Sequence, residues 1–64
     1  MTRFEAEMIL ASEPDLREWL DAFHSEGLQG LKWSKERYRA IRRELNNKYG
    51  ITDAVGTIYR AVYK

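Results

Sequence analysis

Few side chains in this sequence have the types and spacing that catalysis requires. His24 is the only histidine, the side chain most often used as a general base, and no cysteine is present to act as a nucleophile. The carboxylate pairs Glu5 with Glu7 and Asp15 with Glu18 could exchange protons with a substrate, but such pairs are typical of solvated helix surfaces. We therefore expect that the protein is not an enzyme and has no catalytic residues.

The same scarcity applies to metal ions and cofactors. Without cysteine the chain forms no disulfide, iron–sulfur cluster or thiolate zinc site, and one histidine supplies too few nitrogen ligands for zinc. Neither Gly27 nor Gly30 follows a strand pattern or opens a Lys-Ser or Lys-Thr helix, so a phosphate-cradling loop is not expected. We expect no bound metal and no cofactor.

Basic side chains have the spacing that points most clearly to a function. On a helix, four of them fall within about a third of the circumference, beside the apolar face: Lys35, Arg39, Arg42 and Arg43, here called the basic stripe. Like charges four residues apart cost an isolated helix roughly a few tenths of a kcal/mol, which an anionic partner would relieve. Candidates are nucleic-acid phosphates and the acidic second helix of this chain or of another copy; a solvated basic face is the alternative.

Charges are also segregated along the chain, although the net charge of +1 hides this. Residues 1–26 hold two basic and seven acidic side chains, a balance of −5. Residues 27–64 hold nine basic and three acidic side chains, a balance of +6. Such asymmetry indicates either an anionic partner for the second half or an attraction between the two halves, and both interpretations are open.

The 64 residues, with 44% hydrophobic content, predict a single small helical domain over 1–64. The longest apolar run, residues 8–11, is far shorter than the roughly 20 residues of a membrane helix. Glu5 and Glu7 stand where a secretory signal would carry basic residues, so we expect a cytoplasmic protein without a membrane segment. So small a domain buries little surface, and a homodimer would bury more.

The acidic half predicts two helices. The first covers about 3–11 behind a capping box of Thr2 and Glu5, and its apolar face is Phe4, Met8 and Ala11. The second covers about 14–26, begins with a first-turn proline, and repeats apolar residues at helical spacing: Leu16, Trp19, Leu20 and Phe23. Gly27 is expected to end it, before a loop over 28–32.

The basic half predicts two more helices, over about 35–48 and about 53–63. Ser34 caps the first, Trp33 can pack against Tyr38, and Gly50 ends it in a left-handed turn. The predicted fold class is therefore all-α, a small bundle of three to four helices. The alternative is α+β with a terminal strand at 3–10, at 57–63 or at both, because apolar or β-branched residues there also suit strands.

The apolar faces of the four segments together predict the core: Phe4, Leu16, Trp19, Leu20, Phe23, Ile41, Leu45, Ile51, Ile58 and Val62. Truncating Leu20 or Ile41 to Ala is expected to cost about 2–5 kcal/mol of stability, because each would leave a cavity.

Three stretches of the second half follow a known pattern: Ile41-Arg42-Arg43-Glu44-Leu45, Lys48-Tyr49-Gly50-Ile51-Thr52 and Thr57-Ile58-Tyr59-Arg60-Ala61-Val62. Together, residues 41–62 resemble the helix-turn-helix of resolvase, transposase and repressor-type DNA-binding domains. The resemblance implies that Gly50 makes the turn, Ile51 enters the core, and the helix with Thr57 and Arg60 lies in the major groove. The spacing between Ile51 and Thr57 is longer than is usual in that family, which changes the register of the base-facing positions.

Two functions of different classes follow. The first is a small nucleic-acid-binding protein, with DNA favoured, of the phage or mobile-element kind that acts in transcription regulation as a repressor or accessory factor. Its phosphate contacts would come from the basic stripe, and the residues nearest the bases would be Thr57, Arg60 and Lys64. The second is a protein–protein interaction module, an inhibitor or adaptor, anchored by Trp33, Tyr59 and Tyr63. The partner, the DNA sequence preference and the oligomeric state stay open.

Overall fold

The computed structural model describes residues 1–30 and 33–64, and these ranges contain helices and no strand. In chain order the elements are α1 (Arg3–Ser12), α2 (Pro14–Glu26), a 3₁₀ turn (Gly27–Gly30), α3 (Lys35–Tyr49) and α4 (Ala54–Tyr63). The predicted all-α class is confirmed. The strand alternatives at 3–10 and 57–63 are wrong, because side-chain caps at Thr2 and Asp53 start helices there. No helix in the described ranges has both the length and the apolar character needed to span a bilayer.

Local signals set the ends of the helices. The N–H of Glu5 donates to Thr2 Oγ1 at 3.1 Å, and the N–H of Thr2 donates to Glu5 Oε1 at 3.3 Å, which completes the capping box of α1. At the start of α3, the N–H of Arg37 donates to Ser34 Oγ at 3.2 Å. Gly50 ends α3 with φ 65° and ψ 32°, a left-handed conformation that glycine adopts without a Cβ clash. The predicted ends are therefore right to within about a residue.

The connection from α2 to α3 differs from the predicted loop over 28–32. Gly27 ends α2 with a φ of 67°, as expected, but the chain then coils into the 3₁₀ turn, while residues 31 and 32 lie outside the described ranges. Gly30 is buried, and a β-carbon there would collide with the carbonyl oxygen of Ala22. Glycine at this position lets the turn lie directly against α2.

The core forms where α1 packs against α2 and α4, and where α3 packs against α4. Its buried members are Ala6, Leu10, Leu16, Trp19, Leu20, Leu45, Ala54, Val55 and Ile58. Five of the predicted core residues are among them: Leu16, Trp19, Leu20, Leu45 and Ile58. Four others are only half-buried, at the edge of this core: Phe23, Ile41, Ile51 and Val62. A truncation of Ile41 is accordingly expected to cost less than one of Leu20.

The apolar face predicted for α1 is wrong. Phe4 is 73% exposed and Met8 is 59% exposed, whereas Ala6 and Leu10 on the other side of the helix are buried. The helix has apolar residues on two faces, and packing buries the one with the small Ala6 side chain, which permits a close approach of neighbouring helices. The other face stays exposed and is here called the α1 apolar face: Met1, Phe4, Met8 and Ala11.

Candidate nucleic-acid interface

All four residues of the basic stripe lie on α3 and are exposed. In the described part of the chain, none of them forms an ion pair. Other cations do: Arg17 pairs with Glu7 and Asp21, and Lys48 pairs with Glu13. The basic stripe is therefore positive charge that the described residues of the fold leave uncompensated.

Acidic side chains of the first half have partners away from the basic stripe. Arg17 Nη1 donates to Glu7 Oε2 at 3.1 Å, and Arg17 Nε lies 3.5 Å from Asp21 Oδ2. Lys48 Nζ donates to Glu13 Oε1 at 2.8 Å, and this hydrogen bond raises the pKa of Lys48. Neutralisation of the basic stripe by α2 of the same chain, one of the options the sequence left open, is not seen among the described residues. Nor do the acidic side chains described there converge on a cluster that could hold a metal ion.

Two arginines of α3 lie over aromatic rings on opposite flanks of the helix. The guanidinium carbon of Arg42, in the basic stripe, is 5.4 Å from the ring centroid of Tyr38. That of Arg37 is 5.8 Å from the ring of Trp33. Arg37 and Arg39 are both exposed and lie about 160° apart around the helix, given 100° per residue. Arg37 is therefore a charge-matched residue outside the basic stripe.

The turn between α3 and α4 is fixed by side chains that the sequence analysis did not single out. The N–H of Ala54 donates to Asn46 Oδ1 at 2.9 Å, and the N–H of Gly56 donates to Asp53 Oδ1 at 3.3 Å. The N–H of Ile51 donates to the carbonyl of Asn46 at 3.2 Å. Aspartate is a residue type that commonly caps helices, so the role of Asp53 follows a local sequence signal. The hydrogen bond between Asn46 and Ala54 spans eight residues and forms only because the turn brings them together.

Two of the predicted base-facing residues, Thr57 and Arg60, lie on α4, and Lys64 directly follows it; the three differ in their surroundings. Arg60 Nη2 lies 3.6 Å from Asp53 Oδ2 in an exposed ion pair, Thr57 is half-buried, and Lys64 is exposed. The structure thus places the basic stripe on α3 and these three residues on α4 or at its C-terminal end.

The aromatic residues predicted as anchors of an interface are engaged within the fold. Trp33 stacks on Trp19, with ring centroids 5.3 Å apart, and Tyr38 also packs on Trp19, at 4.9 Å. Tyr59 and Tyr63 stack on each other at 5.1 Å, and all three predicted anchors are half-buried. Tyr59 also contacts Phe23 of α2, with ring centroids 5.5 Å apart, so these side chains pack within the fold rather than project from the surface.

A pocket of about 360 Å³ opens where α2, the 3₁₀ turn, α3 and α4 meet, here called the aromatic pocket. Four aromatic rings line it: Trp19, Phe23, Tyr38 and Tyr59. Arg42 of the basic stripe and Asp53 at the start of α4 supply its charged groups. Sequence reasoning missed this pocket because its residues come together only when four elements pack.

Tyr63 connects the end of α4 to α2. Burial, together with the hydrogen bond that its hydroxyl donates to Asp21, raises the pKa of Tyr63 to about 12, from an ordinary value of 10.0. Because the raised pKa belongs to the folded state, neutral Tyr63 stabilises the fold fully below about pH 10, and this stabilisation is lost as the pH rises through about 12.

We expect an ultraviolet titration of tyrosinate to show a step near pH 12 in the natural protein that is missing from Tyr63→Phe. The variant should also lose less stability than the natural protein between about pH 10 and 12, measured by circular dichroism. If the step removed by Tyr63→Phe lies at the ordinary pKa of a tyrosine, the contact with Asp21 does not form.

Comparison with known proteins found no match to this chain among protein-family models, curated proteins or solved structures.

Proposed function

We propose that this chain binds nucleic acid and that the basic stripe holds its backbone phosphates. The observation that carries the proposal is a set of exposed cations on one helix with no ionic partner among the described residues. Three of the four are arginines, whose planar guanidinium donates several hydrogen bonds at once to phosphate oxygens. A bound phosphate also relieves the repulsion between like charges one turn apart on the helix.

The surroundings of α4 support a secondary role for it in this binding. Arg60 pairs with Asp53, and because this pair is exposed it costs little to open when an anion approaches. Thr57 is half-buried, which leaves little of its side chain to reach the edge of a base. Phosphate contacts from α3 therefore dominate the proposed complex. Sequence-specific reading of a major groove by α4, as in a repressor, is not needed for it.

A charge-matched pair of variants tests this proposal. Arg39→Gln and Arg37→Gln each remove one exposed positive charge from α3, on opposite flanks. Fluorescence anisotropy with labelled DNA and RNA at several salt concentrations should show weaker binding for Arg39→Gln, and a salt slope smaller by about 1. Arg37→Gln should keep the slope of the natural protein. Equal losses in both variants would assign the binding to net charge rather than to the basic stripe.

The α1 apolar face favours the second candidate, a protein–protein interaction module. Large apolar residues grouped on the outside of a small protein commonly mark a surface that binds another protein. This candidate predicts that Phe4→Glu abolishes association with a protein partner while Arg39→Gln leaves that association unchanged. The nucleic-acid proposal predicts that Arg39→Gln weakens the binding of an oligonucleotide while Phe4→Glu leaves that binding unchanged.

A further inference from the structure

The aromatic pocket has the shape and lining of a site for a planar ring. Its volume of about 360 Å³ lies within the range of small-molecule sites, about 300–1,000 Å³. Phe23 and Tyr59 meet nearly at right angles, with ring centroids 5.5 Å apart and planes 73° apart, so they form two walls of a corner. Tyr59 is half-buried and is not sealed inside the core. A flat aromatic group can therefore enter and stack there.

The polar groups of the pocket match the edges of a nucleobase. Asp53 provides a carboxylate that accepts hydrogen bonds from amino groups, as acidic side chains do when they read cytosine. A base carries both amino donors and carbonyl or ring-nitrogen acceptors, whereas a purely hydrocarbon ring carries neither.

Arg42 joins this pocket to the basic stripe. It is the basic residue among the described residues that line the pocket, and it lies over the ring of Tyr38. The other arginines of the basic stripe, Arg39 and Arg43, are its neighbours on the same helix. A nucleotide whose base occupies the pocket can therefore place its phosphate at Arg42, and the phosphates on either side of it can reach the remaining cations.

We infer that the aromatic pocket takes one unstacked base of a nucleic-acid strand whose phosphates lie on the basic stripe. The inference rests on the proposed function and adds a class of substrate: single strands, or strands with an unpaired base, are bound in preference to a fully paired duplex. A free mononucleotide offers the same ring and phosphate. The row of cations beyond Arg42 favours the strand, because a mononucleotide leaves them without partners.

Paired variants and a strand without bases test this inference. Tyr59→Leu keeps an apolar side chain in the pocket and removes the stacking face; Tyr49→Leu makes the same change at a half-buried tyrosine of α3 that does not line the pocket. Each is titrated with a single strand of about 12 nucleotides, within the size range of known single-strand sites, and with an abasic strand of equal length. Circular dichroism verifies that the variants fold. Tyr59→Phe keeps the ring and serves as a second control. If Tyr59→Leu does not fold, the comparison of normal and abasic strands on the natural protein still tests the inference.

For the natural protein we expect the abasic strand to bind about 5- to 150-fold more weakly than the normal strand, the range for stacking of a single base. Tyr59→Leu should lose this difference and bind the abasic strand as the natural protein does, while Tyr49→Leu and Tyr59→Phe should keep the difference. A duplex of the same sequence should bind more weakly than the single strand.

Three outcomes would overturn the inference. Equal affinity of the natural protein for normal and abasic strands, with binding still dependent on Arg39, would remove the base site and leave the proposed function standing. Adenosine monophosphate binding as tightly as the strand would assign the pocket to a free nucleotide. Absence of binding to either strand at low salt would remove both the inference and the proposed function.

Discussion

We expect Leu20→Ala to lower the free energy of unfolding by about 2–5 kcal/mol, measured by urea denaturation followed by circular dichroism. Leu20 on α2 is 1% exposed and is, with Ile58, one of the largest side chains that are fully buried. Truncating it leaves a cavity that the surrounding helices can fill only in part. Small domains have total stabilities near the lower end of about 5–15 kcal/mol, so this variant should be partly unfolded without denaturant.

Phe4→Ala is the matched control, because the sequence pattern predicted both residues to be in the core. Phe4 is 73% exposed, so its truncation should change the free energy of unfolding by no more than about 0.5 kcal/mol. Half-buried Ile41 should give an intermediate loss. If Phe4→Ala lowered the free energy of unfolding as much as Leu20→Ala does, the α1 apolar face would be buried and not exposed.

Replacing Arg39, Arg42 and Arg43 together by Gln should weaken nucleic-acid binding by about a hundredfold at physiological salt. Each cation that contacts a phosphate releases bound counterions from the strand, so losing three should reduce the slope of log affinity against log salt by about 2 to 3. Folding should survive, because all three side chains are exposed and none has an ion pair in the described part of the chain. Fluorescence anisotropy measures the loss of affinity for nucleic acid, and circular dichroism measures whether the variant keeps its fold.

A second triple variant separates the position of these charges from their number. Arg3, Arg37 and Lys48 are exposed and lie outside the basic stripe, and replacing them by Gln removes the same three charges. We expect this variant to retain most of the affinity and nearly all of the salt slope. Equal weakening by the two triples would mean that the protein attracts polyanions by its overall charge alone.

The ends of the helices could be predicted from the sequence because the interactions that set them are local. The capping box of Thr2 and Glu5, the Ser34 cap and the left-handed Gly50 each involve residues within three or four positions of one another. Such signals are read directly from residue types and spacing. The 3₁₀ turn was missed because its geometry follows from the close packing of Gly30 on Ala22, which spacing alone does not reveal.

Burial and the candidate site were less accessible to sequence reasoning. α1 has two apolar faces, and only the packing of α2 and α4 determines that Ala6 is inside and Phe4 outside. The exposure of the basic stripe could be predicted, because all four of its residues lie on one helix and helical periodicity alone places them beside the apolar face. The aromatic pocket could not be predicted, because Tyr59 and Arg42 come to line one pocket only when α4 folds back on α3 through the turn that Asn46 holds.

The most direct test of the central claim, that α3 binds nucleic acid through phosphates, is the affinity of the natural protein for random-sequence DNA and RNA across salt concentrations. Four cations of the basic stripe predict binding at low salt that weakens with a slope of about −3 to −4 in log affinity against log salt. No binding at low salt, or binding whose affinity does not change with salt, would contradict the claim.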